Sequence, residues 1–184
     1  MNDALWLAFS ERVCVEDRVR LVVEALDPAM DRAALARLAE RNLATLASIA
    51  ALEERRSEST DDDNPVLQEL GRLDAKLNAL VDIVNRLLTP ADTLPPRQRL
   101  RFNALGALLP SALLPPDDRL LVRVHLDGCP SLPLELPARV QRRLEDGLAF
   151  VGFESMSEAT TTALDRLVFR LHRRKVAEAR QSLT

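Results

Sequence analysis

Seven apolar residues, Val66, Leu70, Leu73, Leu77, Leu80, Val84 and Leu87, follow one another in steps of four and three. This is a heptad seam, with Leu70, Leu77 and Val84 at a, and Val66, Leu73, Leu80 and Leu87 at d. A sustained a/d pattern requires a helix packed on other helices. The seam widens toward its C-terminal end, where Val81 and Leu88 fall at e and Ile83 at g. A two-stranded coil has no use for those positions, whereas a bundle of three or four helices does. The expectation is a homo-oligomer of more than two subunits held by these seven residues. Packing of the seam on an upstream helix of the same chain stands beside it as the second reading.

Two long helices are expected. Asp27–Pro28 suits an N-cap followed by a first helical turn. It opens an Ala/Leu/Arg/Glu-rich run to about Arg56, in which Leu35, Ala39, Asn42, Leu46 and Ile49 again step by four and three. Asn42 in that stripe either sets the register of a bundle or sits at a solvated edge. After a polar break containing the acidic run Asp61–Asp63, Asn64–Pro65 restarts a helix that Thr89–Pro90 ends.

On both sides of these helices the period changes to two. Val19, Leu21 and Val23 suggest a strand within 12–26. Leu100 and Phe102 alternate with Arg99, Arg101 and Asn103. Further strands are expected at 119–126, 134–140 and 148–154, with turns at Pro115–Asp118, Asp127–Gly128 and Glu145–Gly147. A last helix runs from about Ser157 to Ala179, with Ser155 and Glu158 at capping-box spacing. Several half-buried antiparallel strands of this length make a small barrel or sandwich.

Composition excludes several functions. The net charge is −3, which gives no general case for nucleic-acid or anionic-membrane binding. One Trp, five Phe and no Tyr leave few stacking platforms for single strands. Cys14 and Cys129 are too few for a zinc site or a disulfide framework, so free thiols are expected. No Ser/His/Asp set, metal-ligand spacing or glycine-rich phosphate loop is present, so catalytic residues, metal ligands and cofactors are not expected. Arg97, Arg99 and Arg101 read as the solvated wall of a barrel, and His172–Lys175 suits the negative end of a helix dipole. With no signal-peptide or membrane-span pattern, a cytoplasmic protein without membrane insertion is expected.

The segment Leu100–Phe153 resembles a PilZ domain, the cyclic di-GMP receptor module of bacteria. RFNALGALL (101–109), DDRLLVRVHL (117–126), LPLELPARV (132–140) and LAFVGFESMSE (148–158) carry the likeness. The resemblance implies an α+β fold, a small antiparallel PilZ-like β-barrel with a C-terminal helix. Residues 1–27 would carry the first strand, 28–90 two inserted long helices forming an oligomeric coiled coil, and 91–184 the rest of the barrel and the C-terminal helix. This arrangement is similar to the tetrameric PilZ proteins of xanthomonads that do not bind the nucleotide.

The family's ligand motifs are R-x-x-x-R before the first strand and D/N-x-S-x-x-G in the second. Arg12 matches the second arginine and Gly106 the glycine. Ala8 stands in place of the first arginine, Arg101 in place of the acidic or amide residue, and Asn103 in place of the serine. Paired guanidinium forks are what grip phosphates bidentately, so cyclic di-GMP binding is not expected. The resemblance then implies a non-catalytic regulatory or scaffold protein, a homotetramer acting on an unidentified protein partner. Type IV pili, motility or virulence would be the setting. Two other readings are a cyclic di-GMP sensor using Arg12 with Arg99 or Arg101, and a nucleic-acid-associated regulator using the basic C-terminal helix.

Overall fold

The computed structural model of the chain describes residues 3–57, 65–90, 92–127 and 129–181. The elements in chain order are α1 (Asp3–Glu11), β1 (Val15–Ala25), α2 (Arg32–Ser57), α3 (Pro65–Leu88), β2 (Arg97–Asn103), β3 (Gly106–Pro110), β4 (Arg119–His125), β5 (Leu134–Arg143), β6 (Leu148–Phe153) and α4 (Glu158–Gln181). A short 3-10 turn, Ser111–Leu113, follows β3.

The strands close into an antiparallel barrel in the order β1-β2-β3-β6-β5-β4. The long, Val-rich β1 makes closure possible. Its first half pairs with β2, from Val15↔Phe102 to Arg20↔Arg97, and its second half pairs with β4, from Arg20↔His125 to Ala25↔Leu120. Alternate residues fill the interior, among them Val19, Leu21, Leu100, Phe102, Leu109, Val122, Leu136 and Val151. This is the period-two pattern of strands with one buried face.

Helices cover what the barrel cannot bury alone. Leu164, Leu167 and Val168 of α4 join the barrel core, together with Leu46 and Ile49 of α2. Asn42, expected in a register-setting or solvated position, does neither. It is buried on α2 and clamps the backbone of β5. Its Nδ2 donates to the Glu135 carbonyl at 2.7 Å and its Oδ1 accepts from the Glu135 N–H at 2.8 Å. An amide side chain thus supplies a strand residue with the donor and acceptor that a neighbouring strand would give. The outer wall carries an ion ladder: Arg123 lies 2.6 Å from Glu24 and 2.9 Å from Glu135, and Arg41 of α2 reaches Glu135 at 3.3 Å.

Several local expectations are corrected. Helix α2 begins at Arg32, capped by Asp31, whose Oδ1 accepts from the Ala34 N–H at 2.7 Å. Asp27 instead closes a turn by accepting from Ala29 N–H at 2.8 Å. The cap of α4 is Ser157, whose Oγ accepts from Thr160 N–H at 3.1 Å. Ser155 lies in a turn at φ 56°. Strand β3 and helix α1 are elements that the periodicity does not announce. β3 is buried on both sides, with Ala107 and Leu109 in the core and Leu108 under α1, so its residues do not alternate in polarity. Of the two cysteines, both free, Cys129 is buried and Cys14 half-buried. The acidic run Asp61–Asp63 and Gly128 of the Asp127–Gly128 turn lie outside the described residues.

Candidate functional site

Helix α3 has 24 residues, which makes it about 36 Å long. Pro65 occupies the first turn, where its missing N–H costs nothing. Among the described residues the seam faces water and not α2. Leu70, Leu73, Leu77, Leu80, Val84 and Leu87 are 46% to 75% exposed, as are Ile83 and Leu88, which widen the face. The side chain of Val66 lies outside the described residues. Scattered exposed leucines are ordinary, but a contiguous stripe of eight large apolar residues marks an interaction surface. α3 is tied down at its C-terminal end. Asn85 is buried, and its Oδ1 accepts from the hydroxyl of Ser131 and from Cys129 Sγ at 3.9 Å. The helix then ends with Thr89 N–H donating to the Asn85 carbonyl at 2.9 Å.

Of the family's ligand positions, Asn103 and Gly106 are built into packing. Asn103 is wholly buried at the end of β2. Its Nδ2 donates to the Phe9 carbonyl at 3.1 Å and contacts Cys14 Sγ at 3.3 Å, while its Oδ1 accepts from Leu105 N–H at 2.8 Å. Asn103 therefore fastens α1 to the β2–β3 turn. Gly106 pairs with Gly152 across β3 and β6. A Cβ at Gly106 would lie 2.3 Å from the Val151 carbonyl oxygen, and one at Gly152 would lie 2.6 Å from Leu5 of α1. The groove between these strands is filled by α1. Trp6, Phe9 and Phe150 form a ring cluster with centroids 4.8 to 6.0 Å apart. Neither α1 nor this cluster was legible as part of the site; the only signal was the pair Trp6 and Phe9 in an aromatic-poor chain.

Ala8 is half-buried on α1, and Arg12 and Arg101 are exposed. Arg12 follows α1 and lies 3.8 Å from Asp165 of α4. Arg101 is on the outer face of β2, opposite Glu16 of β1. Its neighbour Arg99 is held by Glu16 at 2.6 Å, and Arg97 by Asp127 at 2.6 Å. These arginines do not converge as a free cationic clamp. Beside them, Lys175 of α4 meets Asp17 at 2.9 Å and also donates to the Glu16 carbonyl. Burial pushes the Asp17 carboxyl up, but the Lys175 ammonium, the Arg18 N–H and the Arg97 charge outweigh it, so its pKa lies below the usual 3.8. Among the described residues no cluster of His, Cys, Asp and Glu could hold a metal ion, and no helix is long and apolar enough to cross a membrane.

With this geometry in place, the comparisons are specific. The family model described as "Atypical PilZ domain, cyclic di-GMP receptor" matches residues 43–181, from within α2 to the end of α4. The chain belongs to the atypical PilZ domain family. PilZ domains are regulatory receptor domains rather than enzymes. Among solved structures, the chain is similar to a pathogenic protein of Xanthomonas campestris, described as a new tetrameric PilZ domain self-assembled via an unusual helical bundle. The two are 26% identical, with a TM-score of 0.71, and the match covers 96% of this chain and 97% of that one. No curated relative matches the chain. The match runs over nearly the whole of both proteins, so the long helices of this atypical PilZ chain are part of the shared architecture and not a private addition.

Proposed function

We propose that this atypical PilZ protein is a non-catalytic regulatory subunit that assembles as a tetramer through α3 and acts through protein contacts. The observation that carries the reading is the apolar seam of α3, left 46% to 75% exposed in the protomer. The tetrameric helical bundle described for the Xanthomonas campestris protein supports a bundle of four such helices. The insertion of α2 and α3 between β1 and β2 makes α3 the device of assembly. The PilZ core and α4 then form the surface offered to partners, in the control of type IV pili, motility or virulence. A cytoplasmic location fits this role. The molar mass in solution tests the assembly, and a monomeric wild-type chain would overturn it.

The same reading holds that the protein does not bind cyclic di-GMP at physiological concentrations. Ala8 replaces a guanidinium, Asn103 is used up in fastening α1, and Arg12 and Arg99 are each engaged by a carboxylate. The loss of one arginine removes roughly 1.5–3 kcal/mol of charge-assisted bonding. The family's own description as a cyclic di-GMP receptor favours the second reading, a sensor with a non-standard site. Titration calorimetry separates them. Binding near a micromolar Kd that is lost in Arg12→Ala would replace the first reading with the second and leave the fold untouched.

A further inference from the structure

We infer that the outward face of α4, where it meets Arg12 and Val13, is a docking surface for an acidic protein segment that presents a bulky apolar side chain. This rests on the proposal that the protein acts through protein contacts, and names where and with what chemistry. The chain has six aromatic residues, one Trp and five Phe. Phe102 and Phe153 belong to or pack on the barrel core, and Trp6, Phe9 and Phe150 form the cluster under α1. Phe169 alone faces water, 54% exposed on α4. Beside it Val13 is 49% exposed, and the two border a shallow depression of about 600 Å³ that Arg12, Asp165 and Arg166 also line.

The charge around this depression runs against that of the whole chain. Arg12, Arg166 and Arg170 line it, and among the described lining residues the acidic one is Asp165, 3.8 Å from Arg12, whereas the chain carries −3 in total. Arg173 lies over the Phe169 ring, 5.9 Å from its centroid. A guanidinium stacked over an aromatic face can still donate edge-on to a carboxylate that a partner brings. An aromatic residue flanked by arginines is the composition of an interface hot spot. The net charge of −3 favours a protein segment over an anionic bilayer. Apolar contact then comes from Val13 and Phe169, and orientation from carboxylates meeting Arg166 and Arg173. The seam of α3 is not part of this face, so assembly and docking can be varied separately.

The test uses the full chain and three fluorescent helical peptides. One has a central Phe flanked by Glu at i−4 and i+4, the second has Lys in place of Glu, and the third has Ala in place of Phe. Anisotropy titrations should give binding of the first at least about tenfold tighter than either of the others. Phe169→Ala, and separately Arg166→Glu with Arg173→Glu, should each lower that affinity about tenfold or more, with molar mass and helix content unchanged. Equal binding of the three peptides, or full binding by the variants, would overturn the proposal. So would preferential binding of the wild type to phosphatidylcholine–phosphatidylglycerol vesicles, which would make the face a membrane surface. A fall in molar mass on changing Phe169 would also overturn it, since a second copy would then be the occupant, while the assembly itself would stand. A monomeric wild type that still discriminates among the peptides would sink the assembly and keep the docking surface.

Discussion

Replacing Leu77 and Leu80 with Asp is the most direct trial of the α3 seam. The two leucines are 46% and 57% exposed in the protomer, so together they leave about one whole leucine side chain in water. Burying that much apolar surface is worth about 2 kcal/mol per protomer, or about 8 kcal/mol over a bundle of four. The carboxylates add a penalty of several kcal/mol each if they are carried into the interface unpaired. Every 1.4 kcal/mol changes an equilibrium about tenfold, so the variant should not assemble at micromolar concentration. It should nevertheless fold. Both positions already face water, and Asp costs only a few tenths of a kcal/mol in helix propensity there. Size-exclusion chromatography with light scattering should show the wild type at a multiple of its 20.5 kDa chain mass and the variant at the chain mass itself. Far-UV circular dichroism should be little changed. A wild-type monomer, or a variant that keeps the wild-type mass, would refute the reasoning.

Three further outcomes follow from the packing. Asn42→Leu should destabilise the fold by about 2 kcal/mol, because the Glu135 N–H and carbonyl lose their partners; urea denaturation measures it. Gly106→Val should cost a similar amount, about 2 kcal/mol from overpacking, since its Cβ would press on the Val151 carbonyl at 2.3 Å; the midpoint of thermal unfolding reports it. The Asp17–Lys175 pair should loosen in acid. The folded-state pKa of Asp17 lies below its ordinary 3.8, so its contribution is complete above that value and is lost as pH falls through the folded one. Amide exchange around Lys175 should rise over that acid window, and Asp17→Asn should remove the dependence.

What the sequence discloses follows from how many faces an element buries. Strands β1, β2, β4 and β5 were legible because the core residues Val19, Leu21, Leu100, Phe102, Leu120, Val122, Leu134 and Leu136 alternate with outward-facing neighbours, whereas β6, buried on both sides, was legible as a short apolar run after the Glu145–Gly147 turn. β3 escaped because Leu108 on its outer side is covered by α1. The caps at Asp27 and Ser155 were misplaced by a few residues, since several Asp and Ser residues precede each helix and only geometry selects Asp31 and Ser157. The ligand positions were located by their match to the family's motif, but their fate was not. Nothing local to Asn103 announces that it fastens a helix ninety residues earlier in the chain, because that contact depends on barrel closure.

Helices α2 and α3 have nearly the same length, 26 and 24 residues, and the same four-three spacing, yet they end in opposite environments. In α2 the stripe residues Asn42, Leu46 and Ile49, and Leu38 beside them, are no more than 4% exposed, while Leu35 and Ala39 are half-buried. They are spent on the barrel core, on β5 and on α4, so the first of the two long helices is part of the protomer's own packing. Excising α2 would strip Leu46 and Ile49 from the core and unpair Glu135. In α3 the equivalent leucines face water, and the helix is fastened to its own protomer mainly at Asn85. α2 and α4 take the faces that the barrel offers, and α3 is left with its seam in water. A seam of this length is costly to leave in water and is cheaply covered by identical seams, since a heptad is complementary to itself. The same spacing therefore serves folding in the first helix and, as proposed, assembly in the second. The difference is set by which of the two the closed barrel can reach.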